Sequence, residues 1–173
     1  MIFEYPLISK RSLPVFRNCI GNSDDLMNIC FDTGCGITTF YMDYETIQLL
    51  YPDIQKANTT IKVNNASGVK TSHELYIIPT FTLKARYNKV LRIKNLYCCL
   101  SSANVPQIDV LLSGTVFYNA KTIITPRPAD ATHGAGRVLI VDTFKDDRST
   151  MYMKKKKSKN AMHFICVYNE PTE

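Results

Sequence analysis

The stretch Ile29-Cys30-Phe31-Asp32-Thr33-Gly34-Cys35-Gly36-Ile37-Thr38-Thr39 decides how the rest of the chain is read. Three apolar residues lead into an Asp-Thr-Gly tripeptide, and a β-branched and aromatic run over 37–41 leaves it. Asp and Gly are turn residues, so the pattern is strand, turn, strand, with an acid opening the turn. An ordinary β-turn is the plain alternative. Carboxylate chemistry gives the turn a use. Peptide hydrolysis by carboxylates needs a water held between two acids, one ionised to take its proton and one protonated to donate to the carbonyl oxygen. Two carboxylates about 3 Å apart share a proton, because both cannot be ionised together. Thr33 is expected to lock the turn through its hydroxyl. Gly34 is expected to let backbone N–H groups approach the carboxylate with no side chain in the way. The chain holds one Asp-Thr-Gly; Asp142-Thr143-Phe144 lacks the glycine and sits in a strand-like run. The second acid must then come from another copy, across a two-fold axis that sets Asp32 opposite its twin.

Outward from this stretch the chain reads as β. Residues 15–31 form a predicted hairpin around the turn cluster Gly21-Asn22-Ser23-Asp24-Asp25 and lead directly into Asp32. Asp43 is placed to cap a short helix with Tyr44, Ile47, Leu50 and Tyr51 on one side, closed by Pro52. Strand patterns return over 60–63, 75–83 and 90–100, with a turn over 64–68. Val110-Leu111-Leu112 reads as a short buried strand, with Ser113-Gly114-Thr115 opening a second short helix over 116–120. Residues 122–124, 138–141 and 163–168 complete the strands, and 126–136, rich in Pro, Ala and Gly, reads as a loop or linker.

On these residues the sequence resembles the retropepsin-like (clan AA) family of homodimeric aspartic proteases, over roughly residues 13–124. Phe31-Asp32-Thr33-Gly34-Cys35 is similar to that family's apolar-Asp-Thr-Gly-small pattern. The turn over 64–68 is placed like its flap hairpin. Asp109-Val110-Leu111-Leu112-Ser113-Gly114 looks like the strand and helix that pack beneath the catalytic loop, with Ser113 where glycine is usual unless Gly114 fills that role. The resemblance implies an all-β, acid-protease closed barrel with one or two short helices, occupying 1–125. A linker and C-terminal β extension follow over 126–173, whose last strand would join the dimer sheet. It implies an aspartic endopeptidase acting as a homodimer on a peptide or protein substrate. Asp32, Thr33 and Gly34 would be catalytic, Ala66, Ser67 and Gly68 would be the substrate-binding flap, and Leu111, Leu112, Ser113 and Gly114 would support the site. The alternative is a catalytically inactive binding or regulatory module on the same fold.

Composition narrows the remaining classes. The 173 residues, 45% of them hydrophobic, suffice for one domain with a real core. The formal charge is +6, but without Lys154, Lys155, Lys156, Lys157 and Lys159 it falls to +1. The basicity is therefore local and reads as a solvated hairpin tip. No face of interleaved cations and aromatics points to nucleic acid. No stretch is long and apolar enough to span a membrane, and no secretory leader opens the sequence, so a cytoplasmic protein is expected. Cys19, Cys30, Cys35, Cys98, Cys99 and Cys166 show no C-x-x-C pair and read as reduced, mostly packing thiols. No cofactor or metal is expected, since no His or Cys falls at ligand spacing.

Overall fold

Residues 1–8, 11–64, 67–145, 149–159, 161–170 and 172 are described by a computed structural model, in which strand dominates. In chain order the strands are β1 (Ile2–Pro6), β2 (Val15–Cys19), β3 (Leu26–Asp32), β4 (Thr38–Phe40), β5 (Gln55–Asn64), β6 (Lys70–Lys84), β7 (Val90–Leu100), β8 (Val110–Ser113), β9 (Lys121–Arg127), β10 (Gly136–Asp142), β11 (Thr150–Ser158) and β12 (Ala161–Val167). One α-helix, α1 (Tyr44–Leu50), lies between β4 and β5. Single 3-10 turns occupy Arg86–Asn88 and Gly114–Phe117. The expected helix over 116–120 is this second 3-10 turn. It starts earlier than expected because the Ser113 side chain accepts from the Thr115 N–H and caps it there.

The hairpin and helix around Asp32 hold each other in place. Strands β2 and β3 pair antiparallel, with Val15 opposite Cys30. The Asp43 side chain accepts from the Thr46 N–H at 2.8 Å and caps α1. The helix buries Ile47 and Leu50. At its other end Asn22 of the β2–β3 turn donates its N–H to the Leu50 carbonyl at 3.0 Å. Gly21 takes a positive φ of 55°, and a Cβ there would stand 2.2 Å from the Leu50 carbonyl oxygen. Only glycine lets this turn close against the helix end.

The strands form two sheets. A small sheet runs β1-β10-β9. A nine-stranded sheet runs β12-β11-β7-β4-β8-β3-β2, with the long β5–β6 hairpin attached through β6 to β7. Residues 126–173 thus contribute β10 to one sheet and β11 and β12 to the other. Phe40, Tyr51 and Phe81 meet edge-on or tilted at about 6 Å in the core, while Tyr5 packs on Phe16 at 4.9 Å. Each such side chain stabilises the fold by about 1.5–3 kcal/mol through burial alone. Asn18, itself buried, joins β2 to β6, which are not paired in the sheet: its side chain donates to the Lys84 carbonyl at 2.8 Å and accepts from the Lys84 N–H at 3.0 Å.

Two expectations need correction. The loop expected over 126–136 is shorter, because β9 continues through Pro126 to Arg127 and β10 begins at Gly136. As an edge strand, β9 tolerates a residue without an N–H. The lysines at 154–157 sit on β11 rather than at a hairpin tip. Strand β11 pairs with β7 only over Thr150, Met151 and Tyr152; beyond that it pairs with β12 alone. Met153 is still buried, but from Lys154 to Ser158 the strand is exposed and makes no demand for apolar residues.

Candidate active site

Asp32 ends β3, and its position is set by β8. Strand β8 runs parallel to β3, with Asp32 opposite Ser113, and antiparallel to β4, with Thr39 opposite Leu111. It thereby lies between the two strands that flank the Asp32 turn. Asp109, just before β8, fastens both: its carboxylate accepts from the Asn28 N–H at 2.8 Å and its carbonyl from the Tyr41 N–H at 2.9 Å. Phe31 packs on Phe117 of the 3-10 turn after β8, with ring centroids 5.4 Å apart.

Within the turn, the Gly34 N–H donates to Asp32 Oδ1 at 2.8 Å. The Cys35 N–H reaches the Asp32 carbonyl at 3.3 Å. Buried Ser113 donates its hydroxyl to the Cys35 carbonyl, and its N–H reaches Thr38 Oγ1 at 3.2 Å. A Cβ on Gly114 would stand 2.7 Å from Thr33 Cα, so the two backbones touch. Gly114 therefore makes the close approach that the sequence left between Ser113 and Gly114, while Ser113 ties down the far side of the turn. The lock expected from Thr33 is made differently. Among the described residues no hydrogen bond is found for the Thr33 hydroxyl, and Gly34, Ser113 and Thr38 hold the turn instead. Thr33 is exposed at the cleft.

Asp32 is half-buried and lines a cleft of about 610 Å³. Leu13, Phe31, Ile108, Leu111, Ile124 and Leu139 make its walls apolar, with Thr33, Tyr41 and Thr122 as further polar groups. Among the described residues Asp32 is the one carboxylate in the lining. Its charge is felt around it. The Cys30 thiol is pushed up by burial and then by Asp32. Burial likewise raises the Cys35 thiol, against a hydrogen bond to the Ile37 carbonyl, and Asp32 raises it further. The Tyr41 phenol is raised first by burial, and further by its electrostatic coupling to Cys35, Cys30 and Asp32. Cys35 faces the turn as a packing thiol donating to Ile37 at 2.9 Å.

The remaining predicted residues distribute as follows. Leu111 lines the Asp32 cleft, and Leu112 is fully buried behind it. Ala66 lies outside the described residues. Ser67 and Gly68 are exposed at the end of the β5–β6 hairpin, Gly68 with a φ of +80°. They are not among the residues lining the Asp32 cleft. The hairpin strands instead wall a separate groove beginning at Gly36 and Ile37, on the outgoing side of the turn. Asp142 lies at the end of β10, accepts from the Phe144 N–H at 2.9 Å, and is likewise absent from the cleft lining. Sequence reasoning missed Tyr41, Leu13 and Ile124. Tyr41 ends the apolar run after the turn, and that position was its one signal; Leu13 comes from the bend before β2 and Ile124 from β9, and they carry none.

No family model matches the chain, and no curated protein matches it. Among solved structures the chain is similar to the crystal structure of a retropepsin-like aspartic protease from Rickettsia conorii. The two share 13% identity, over 82% of this chain and 92% of that one, with a TM-score of 0.44. No helix among the described residues is long and apolar enough to cross a membrane.

Proposed function

We propose that the chain is an aspartic endopeptidase that works as a homodimer, with Asp32 of each copy facing a shared water. The observation that carries this reading is the Asp32 turn. A carboxylate is fixed by a backbone N–H at 2.8 Å, stands in an apolar cleft, and among the described residues no second carboxylate lines that cleft. An isolated ionised acid can accept the water's proton but has no partner to protonate the carbonyl oxygen. A second copy across a two-fold axis supplies that partner. One Asp32 then remains ionised as base, its twin carries the proton as acid, and the water attacks the peptide carbonyl between them. Leu111 and the Ser113–Gly114 step keep the turn from moving as the charge shifts. The substrate is an extended peptide held by backbone pairing. The six unpaired thiols fit a reducing compartment.

Asp32→Asn tests the reading. It keeps the side chain's shape and removes its charge, so peptide cleavage is expected to fall by about 10³-fold or more with the fold unchanged. A binding module without turnover is the second reading. It draws on the separation of Ser67 and Gly68 from the Asp32 cleft, and it requires that the wild type bind extended peptides and leave them intact.

A further inference from the structure

The groove beside the β5–β6 hairpin has a volume of about 570 Å³ and a one-sided charge. Lys62 and Lys70 stand on its hairpin wall, and Met162, His163 and Phe164 of β12 form the opposite wall. Among the described residues no carboxylate lines it. More positive charge arrives from β11. Lys157 lies opposite Met162, and Lys155 opposite Phe164. Directly opposed residues share a face of an antiparallel pair, so these two lysines sit on the side that carries Met162 and Phe164. Lys155 Nζ stands 5.5 Å from the centre of the Tyr97 ring, which stacks on Phe164. The carboxylate nearest in register is Glu74, opposite Thr60, and it is occupied by Lys56 and the Tyr76 hydroxyl. The lysine run that gives the chain most of its net charge thus borders a groove that already holds two lysines. The groove floor begins at Gly36, four residues beyond Asp32 and so within about 14 Å of it along the chain.

We infer that this groove reads acidic side chains on the substrate: an extended peptide with Glu or Asp two to four residues from the bond cleaved at Asp32. The inference rests on the endopeptidase reading for the position of that bond, and on the groove alone for the charge preference. The apolar floor takes the peptide's backbone and aliphatic stems. Lys62, Lys70 and Lys157 pair with its carboxylates.

Asp32→Asn protein separates the two claims, because it tests binding without turnover. Fluorescently labelled octapeptides with two Glu, two Gln or two Lys on one side of a common centre are titrated against it by anisotropy at 0.15 M salt. Wild-type protein is assayed for cleavage of the same peptides. The Glu peptide is expected to bind about tenfold more tightly than the Gln peptide. Lys62→Glu/Lys70→Glu, and separately Lys157→Glu, are expected to erase or reverse that order. Equal binding of the Glu and Gln peptides, or an order that neither variant changes, overturns the inference. Single-stranded RNA binding more tightly than the Glu peptide, and lost in the same variants, overturns it in favour of a nucleic-acid surface. Glu-selective binding with no wild-type cleavage sustains the groove and removes the endopeptidase reading. Cleavage indifferent to Glu does the reverse.

Discussion

Gly114 and Ser113 divide between them the task of supporting the Asp32 turn. A methyl group on Gly114 meets the Thr33 backbone at 2.7, 3.2 and 3.3 Å, and backbone cannot swing aside as a side-chain tip can. Gly114→Ala is therefore expected to lower stability by about 1–3 kcal/mol and to depress cleavage, since the displaced segment carries Asp32. Gly36→Ala is the control. Nothing stands within 4 Å of a Cβ there, and its stability is expected to stay within about 1 kcal/mol of wild type. Urea unfolding of the two variants checks both. At this scale the sequence was informative about the turn and less so about its support. Asp32-Thr33-Gly34 could be read from strand flanks and turn chemistry, because those act within a few residues. Whether Ser113 or Gly114 meets Thr33 depends on the register between β3 and β8, which lie about eighty residues apart in the sequence and which no local pattern encodes.

Among the elements, those held by local chemistry were legible and those placed by pairing partners were not. The β2–β3 hairpin and the Asp43-capped helix appear where turn residues, apolar spacing and Pro52 put them. Strand β8 was expected as a short buried strand, yet nothing local says that it lies between β3 and β4. The lysines of β11 misled for a physical reason: Met151 and Met153 are buried where the strand meets its sheet, but from Lys154 to Ser158 every side chain is exposed and the alternation that marks a strand ends. Asn18 shows how such distant elements are fastened. It offers both halves of an amide to the Lys84 backbone and joins β2 to β6. Asn18→Ala removes both bonds to the part-buried Lys84 backbone, at a cost of about 1–2 kcal/mol, visible as a lower urea midpoint with an unchanged slope.

Over the whole molecule, charge and symmetry make the remaining demands. Arg86 joins Glu4 of β1, at 3.2 Å, to Asp130 of the β9–β10 loop, at 2.6 Å. The Asp130 carboxyl is held well below the usual carboxylate range, first by the Thr132 N–H, then by the His133 N–H and the Thr132 hydroxyl, and by Arg86. A depressed folded-state pKa stabilises above the unfolded value of about 4, and that contribution is lost as pH falls below it. Asp130→Asn is expected to be less stable than wild type at pH 6.5, and to lose less of its stability between pH 6.5 and pH 3; urea midpoints at the two values measure both. Symmetry carries the central claim. Wild-type and Asp32→Asn chains are unfolded together, refolded at a fixed total concentration, and assayed for peptide cleavage as their ratio is varied. If each site needs one Asp32 from each of two copies, activity follows the square of the wild-type fraction, and an equal mixture retains about one quarter of full activity. A linear fall to about one half, or cleavage by the Asp32→Asn chain alone, would contradict the account.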